Sequence, residues 1–266
     1  LAQLIAQLGP PARPPAPPPP APPSYAPDGL WLEIADRPDD DQPRLVLAAL
    51  LQERGDPRGL LFALQLSPYR ADREITELVH DHWRTWLGDD LARILMRKGS
   101  TFARGMLDVI RIGPGSTPGY LIDRVAGHRE LLAVRVVRVH QLNPPDYARF
   151  MAALPNVRTI DVDSVAAAEA LRAGGALAGI TGIEARIRSY SEDFVRIVEP
   201  VASPEITTLV LDHAPSIAQA LALSELLPGL TSTTITPAPP DPIHREGLAV
   251  LPILTFGARE DPDRVS

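Results

Sequence analysis

The sequence predicts an α/β chain: a leucine-rich-repeat-like solenoid, with one parallel curved sheet and outer helices, preceded by a small helical capping domain. Three observations predict it. From Leu107 onward, short runs of alternating apolar residues recur about every 24 residues, a spacing expected of stacked β/α units. Helical stretches separate those runs, so neighbouring units can bury a shared core. Upstream, residues 28–105 carry mostly helical apolar stripes punctuated by Asp caps and Pro. The chain therefore divides into a proline-rich linker (1–27), a helical domain (28–105) and a repeat region (106–266).

The linker comes first. Residues 10–27 hold eleven prolines, which lack the N–H that a helix or inner strand needs. Extended polyproline II is expected, acting as a spacer toward an upstream domain or as a ligand for a proline-recognition domain. Leu1, Leu4, Ile5 and Leu8 have helical spacing, but eight residues are too few for a helix in water.

In the helical domain, Leu30, Trp31 and Ile34 begin a helix that Pro38 closes. Asp40 or Asp41 caps the next, with Pro43 in its first turn, Leu45, Val46, Ala49 and Leu50 as its apolar stripe, and Gly55 as its stop. Asp56 caps a third, with Pro57 at its first position and Leu60, Leu61 and Leu64 as its stripe. Ile75, Leu78, Val79, His82 and Trp86 line one side of a helix over 71–86, and Asp89 and Asp90 start a shorter one through Leu95. Thr101–Arg104 reads as a first strand, with Gly105 at the turn.

The run Pro38-Asp39-Asp40-Asp41-Gln42-Pro43-Arg44-Leu45-Val46, with Leu51-Gln52-Glu53-Arg54-Gly55-Asp56-Pro57-Arg58-Gly59, resembles the bacterial repeat-companion domain. That family accompanies leucine-rich-type repeats, which is what the resemblance implies for the rest of the chain. The family usually has Tyr, Asp and Trp where this chain has Leu47, Ala49 and Leu50, and an acidic residue in place of Leu60.

Seven runs then fit LxxLxL with apolar or tolerated residues, starting at 107, 134, 157, 180, 206, 230 and 251. Between them, helices are expected at 120–129, 146–154, 166–173, 192–198, 217–227 and 244–250. The leucine-rich pattern also expects Asn or Cys eight residues after the first Leu, and here stand Gly115, Leu142, Val165, Arg188, Ala214, Ala238 and Arg259. The repeats are degenerate, with no asparagine ladder. A doubly wound sheet is the competing β/α arrangement.

Composition narrows the chemistry. A net charge of −7 and an isoelectric point near 5.4 argue against nucleic-acid binding by phosphate neutralisation. With no cysteine, disulfides, thiol nucleophiles and thiolate zinc sites are excluded. No run is long and apolar enough to span a membrane, and a cytoplasmic location is the default expectation. The loop from Gly113 to Gly119 follows a strand, but its glycine spacing is wrong for a dinucleotide loop. His80 and His82 stand two apart on a helix, where side chains diverge and cannot share an ion. The triplet Asp39–Asp41 reads as capping charge, and Asp212-His213 has no nucleophile elbow to serve. No catalytic residue, cofactor or metal is expected.

The remaining signal lies on the strands. The fifth residue of each run should point to the concave face: Arg111, Arg138, Asp161, Glu184, Val210, Thr234 and Thr255. Two residues further on lie His140, Asp163, Arg186 and Asp212. This strip passes from basic through acidic to neutral and could steer a charged protein partner. The expected function is a non-enzymatic protein-interaction module or scaffold. The alternatives are a regulatory or sensor region of a multidomain signalling protein, such as a kinase, and an α/β enzyme with a concave pocket.

Overall fold

The computed structural model describes residues 27–69, 71–113, 119–139, 142–186, 193–236, 251 and 254–256. Four helices open the described chain: α1 (Pro27–Asp36), α2 (Gln42–Glu53), α3 (Pro57–Leu66) and α4 (Asp72–Ile94). Their punctuation follows the expected chemistry. Gly55 takes φ 68° beyond α2, and the amides of Gly55 and Asp56 bond back to the Gln52 and Leu51 carbonyls. Those bonds satisfy carbonyls that the helix end would otherwise orphan. Asp56 caps α3 by accepting the Arg58 amide at 2.9 Å. At Gly88 (φ 69°, ψ 170°) α4 bends, so the two helices expected at 71–86 and 89–95 are two arms of one kinked element.

The apolar stripe of α2 is corrected by two positions, to the opposite side of the helix. Leu47, Ala48 and Leu51 face inward with Pro43 and Arg44, while Leu45 and Val46 are exposed. The second helix is apolar on both sides, and the inward side is decided by α1 and α3. The buried Arg44 donates from its guanidinium to the Asp40 carbonyl at 2.6 Å. Burial lowers its pKa to about 10. In α3, likewise, Leu61 and Phe62 are buried and Leu60 is exposed.

Strands β1 (Thr101–Ala103) and β2 (Met106–Ile112) form an antiparallel hairpin. Arg104 (φ 52°) and Gly105 (φ 80°) form its turn, and positive φ at both residues matches the strands' twist. A side chain at Gly105 would strike the Phe62 ring. Beyond the hairpin come α5 (Gly119–Val125), a 3-10 turn (Arg129–Leu131), β3 (Val136–Val139), α6 (Pro144–Ala152), β4 (Thr159–Val162) and α7 (Val165–Ala173). The described chain continues through β5 (Gly182–Ala185), α8 (Phe194–Val198) with a 3-10 turn (Glu199–Val201), β6 (Thr208–Leu211), α9 (Ile217–Leu226), β7 (Ser232–Ile235) and β8 (Leu254–Phe256).

All eight strands make one sheet in the order β1 to β8, and β2 through β8 are parallel. Each strand pairs with its successor in sequence. The strand order therefore never reverses, as it would in a doubly wound sheet. The register aligns the fourth place of every run: Ile110, Val137, Ile160, Ile183, Leu209, Thr233 and Leu254. Wherever side chains are described, the first, fourth and sixth places are buried. One core unites them with Trp83, Trp86, Leu87 and Leu91 of α4 and with the apolar sides of α5 to α9. A smaller core joins Leu30, Trp31, Ile34, Leu47 and Phe62 to Met106 of β2 and Ala133.

Two polar ties hold the helical part to the strands. Arg58 is buried, donating from Nε to the Gly105 carbonyl at 2.9 Å and from Nη2 to Glu130 at 2.5 Å. Its guanidinium lies 4.6 Å from the Phe102 ring centre and 4.7 Å from that of Trp86. Asn156 donates to the carbonyls of Ala35 and Leu132, both at 2.7 Å. Among the described residues, no helix is long and apolar enough to cross a membrane.

Apart from Pro27, which opens α1, the expected linker lies outside the described residues, as do the helix at 244–250 and most of the Gly113–Gly119 loop. So do His140, Gly115, Arg188, Ala238 and Arg259.

Candidate functional site

Successive side chains of a strand point to opposite faces, so burying the fourth and sixth places sends the fifth to the other side. The register sets Arg111 beside Arg138, Asp161 beside Glu184, Glu184 beside Val210, and Thr234 between Val210 and Thr255. The strip expected from the sequence is thus assembled at the carboxyl ends of the parallel strands. Its charges are not independent.

Arg138 of β3 reaches over β4 to Glu184 of β5 in a two-pronged pair, Nε to Oε2 at 2.7 Å and Nη2 to Oε1 at 2.9 Å. Such parallel bonds fix orientation as well as charge. Asp161, expected as an exposed charge on β4, is instead 2% exposed. Its carboxylate accepts the Val139 amide at 3.0 Å and the Arg186 guanidinium, whose Nε lies at 2.8 Å. Its backbone carbonyl accepts the Tyr147 hydroxyl from α6 at 2.8 Å. Asp161 is covered by its partners, and β3 and β4 pair only at Val136–Thr159 and Val137–Ile160. Beyond those pairs its side chain takes the Val139 amide.

Arg186 adds a bond from Nη2 to the Val139 carbonyl at 2.6 Å. The ends of β3, β4 and β5 are therefore held by side chains. Burial lowers the Arg186 pKa, as does the nearby positive charge of Arg111, while Asp212 pulls the other way. Burial also raises the Tyr147 pKa, so its hydroxyl stays a donor.

Arg111 differs from the rest. Its side chain lies against Gly99, where even a Cβ would approach its Cδ to 2.8 Å. Among the described residues no carboxylate pairs with it. Asp163 and Asp212 are half-buried on the following turns, and the Asp212 carboxylate lies 3.0 Å from Nδ1 of His213. The structure thus gathers these strip residues on neighbouring strand ends as two pairs, Arg138–Glu184 and Asp161–Arg186, with Arg111 beside Arg138. Asp212 acts on Arg186 electrostatically. Val210, Thr234 and Thr255 continue the face as a neutral stretch.

Two features of the repeat region escape the sequence reading. From the second run to the sixth, the residue at the second place donates its amide to its counterpart one repeat earlier. These bonds run from Arg135 to Asp108, Arg158 to Arg135, Thr181 to Arg158, Thr207 to Thr181 and Thr231 to Thr207, at 2.8–2.9 Å. The Thr207 and Thr231 hydroxyls reinforce the last two steps. Threonine at 181, 207 and 231 was the available signal. The burial of Asp161 had a fainter one: Tyr147 and Arg186 become its partners only once the helices are packed.

Elsewhere, His80 is exposed beside Asp81, and His82 stacks on Trp86 with ring centres 5.3 Å apart. Asp41 and the carbonyls of Pro38 and Asp39 hold the Arg104 guanidinium. Among the described residues, no three His, Asp or Glu side chains converge as a metal site.

Comparison with protein-family models, curated proteins and solved structures gives no match for this chain.

Proposed function

We propose that this protein is a non-enzymatic protein-interaction module: a short, degenerate leucine-rich-type solenoid capped by a repeat-companion-like helical domain. The sequential parallel sheet, the 24-residue spacing and the buried LxxLxL places support the solenoid reading. The functional reading rests on one observation. The fifth-place side chains form an ordered charged face opposite the helix-covered core, with Arg111 held in place yet without a paired carboxylate among the described residues.

A protein partner suits such a face. Paired charges contribute orientation more than raw affinity, and one uncompensated arginine supplies a specific point of attraction. A photo-crosslinking amino acid placed at Thr234 on this face, or at Leu221 on the exposed side of α9, tests the reading in the native host. Crosslinking of one discrete protein from Thr234 and not from Leu221 supports it. Crosslinking from Leu221 alone would move the interface to the helical side.

A further inference from the structure

A second surface borders the Arg111 end of the charged face, since Lys98 and Ser100 of its lining flank the Gly99 against which Arg111 lies. Helix α4, from Asp72 to His80, forms one wall of a cavity of about 910 Å³; β1 with the preceding turn forms another, and the end of α3 closes it. Its apolar lining comes from Leu64, Ile75, Val79, Phe102 and Ala103. Asp72 is the one carboxylate in the described lining, against the cations Arg97, Lys98 and Arg104.

Those cations are not equivalent. Asp41 and two backbone carbonyls occupy Arg104. Arg97 and Lys98 are exposed, and among the described residues neither has a carboxylate partner. Lys98 is also the only lysine in a chain of net charge −7. Positive charge without a counterion, beside an apolar trough, is a local exception to the molecule's overall sign.

We infer that this groove binds an extended acidic–apolar peptide segment of a partner protein. Apolar side chains would seat against Ile75, Val79 and Phe102, and a carboxylate would meet Arg97 and Lys98. The wall from Asp72 to His80 spans roughly 12 Å at the helical rise, the length of three or four extended residues. Side chains supply the recognition, not an added strand. Gln65 already donates to the Phe102 carbonyl of β1 at 2.7 Å and accepts the Gly105 amide of the turn at 2.8 Å, which occupies the middle of that short edge.

Panning a random dodecapeptide phage library on the immobilised full-length chain tests this. The enriched peptides are expected to be net acidic with clustered apolar residues. Labelled versions should bind in fluorescence anisotropy. Arg97→Glu with Lys98→Glu should weaken that binding by about tenfold or more, since two attractions become repulsions. An unchanged circular dichroism spectrum and melting temperature would show that the variant is folded. Arg138→Gln, on the charged strand face and one strand further from the groove than Arg111, should leave peptide binding unchanged, which separates this groove from the interface proposed above. The inference is overturned if no peptide is enriched over the bare matrix, or if the enriched peptides are neutral or basic. It also fails if the double reversal leaves binding intact, or if millimolar inorganic phosphate alone displaces the peptide, which marks a small-anion site.

Discussion

Asp161 shows how much one side chain can settle at the residue scale. It is buried, accepts the Val139 amide, and neutralises an Arg186 whose charge is itself partly desolvated. Removing one partner of a buried pair strands the other. Asp161→Ala is therefore expected to cost about 3 kcal/mol in urea unfolding. Arg138→Gln, in a more exposed pair, should cost about 1 kcal/mol or less. Similar losses for both would mean that Asp161 is not integral to the sheet. His128 gives a pH-dependent counterpart. Its Nδ1 accepts the Glu130 amide at 3.3 Å, and burial lowers its pKa below the ordinary value of 6.5. The unfolded chain then takes up a proton at higher pH than the folded one. This contribution is fully present above pH 6.5 and is lost as pH falls through the lowered pKa. Unfolding free energies across that window should fall less steeply for His128→Asn than for the wild type; identical slopes would exclude the assignment.

Among the elements, the strands were the most legible. An LxxLxL run states its own inward face, and recurrence about every 24 residues resolves the ambiguity of any single copy. That is why the register of β2 to β8 matches the expectation place by place. The second helix lacked such redundancy. Leu45 and Val46 are as apolar as Leu47 and Leu51, and only packing against α1 and α3 decides which pair is covered. The charged face was legible in its membership but not in its pairing. Arg138–Glu184 and Arg186–Asp161 span 46 and 25 residues and depend on where three strand ends fall. These differences set an element-scale prediction. Leu45→Gln and Val46→Lys should change stability by no more than about 0.5 kcal/mol each, as exposed sites do. Gly105→Ala should cost more than about 2 kcal/mol, because it adds a Cβ at positive φ against the Phe62 ring. Thermal and urea melts of the three variants check both. A silent Gly105→Ala would contradict the described hairpin.

At the scale of the whole molecule, one sheet has two different faces. Helices and a continuous apolar core cover one. The other carries aligned charges that bond to one another, apart from Arg111. The α1–α4 segment is fastened to this sheet by the buried Arg58–Glu130 pair, by Asn156 and by a shared core, so it presents the strand face as part of one packed body. If that face is where a partner docks, Arg111 contributes to the approach of the two molecules and little to the fold. The most direct measurement is the association rate of the crosslinked partner with wild type and with Arg111→Glu, at low and at high salt. The variant is expected to keep its melting temperature and to associate several-fold more slowly at low salt, with the gap narrowing as salt screens the charge. Equal association rates at low salt would contradict it.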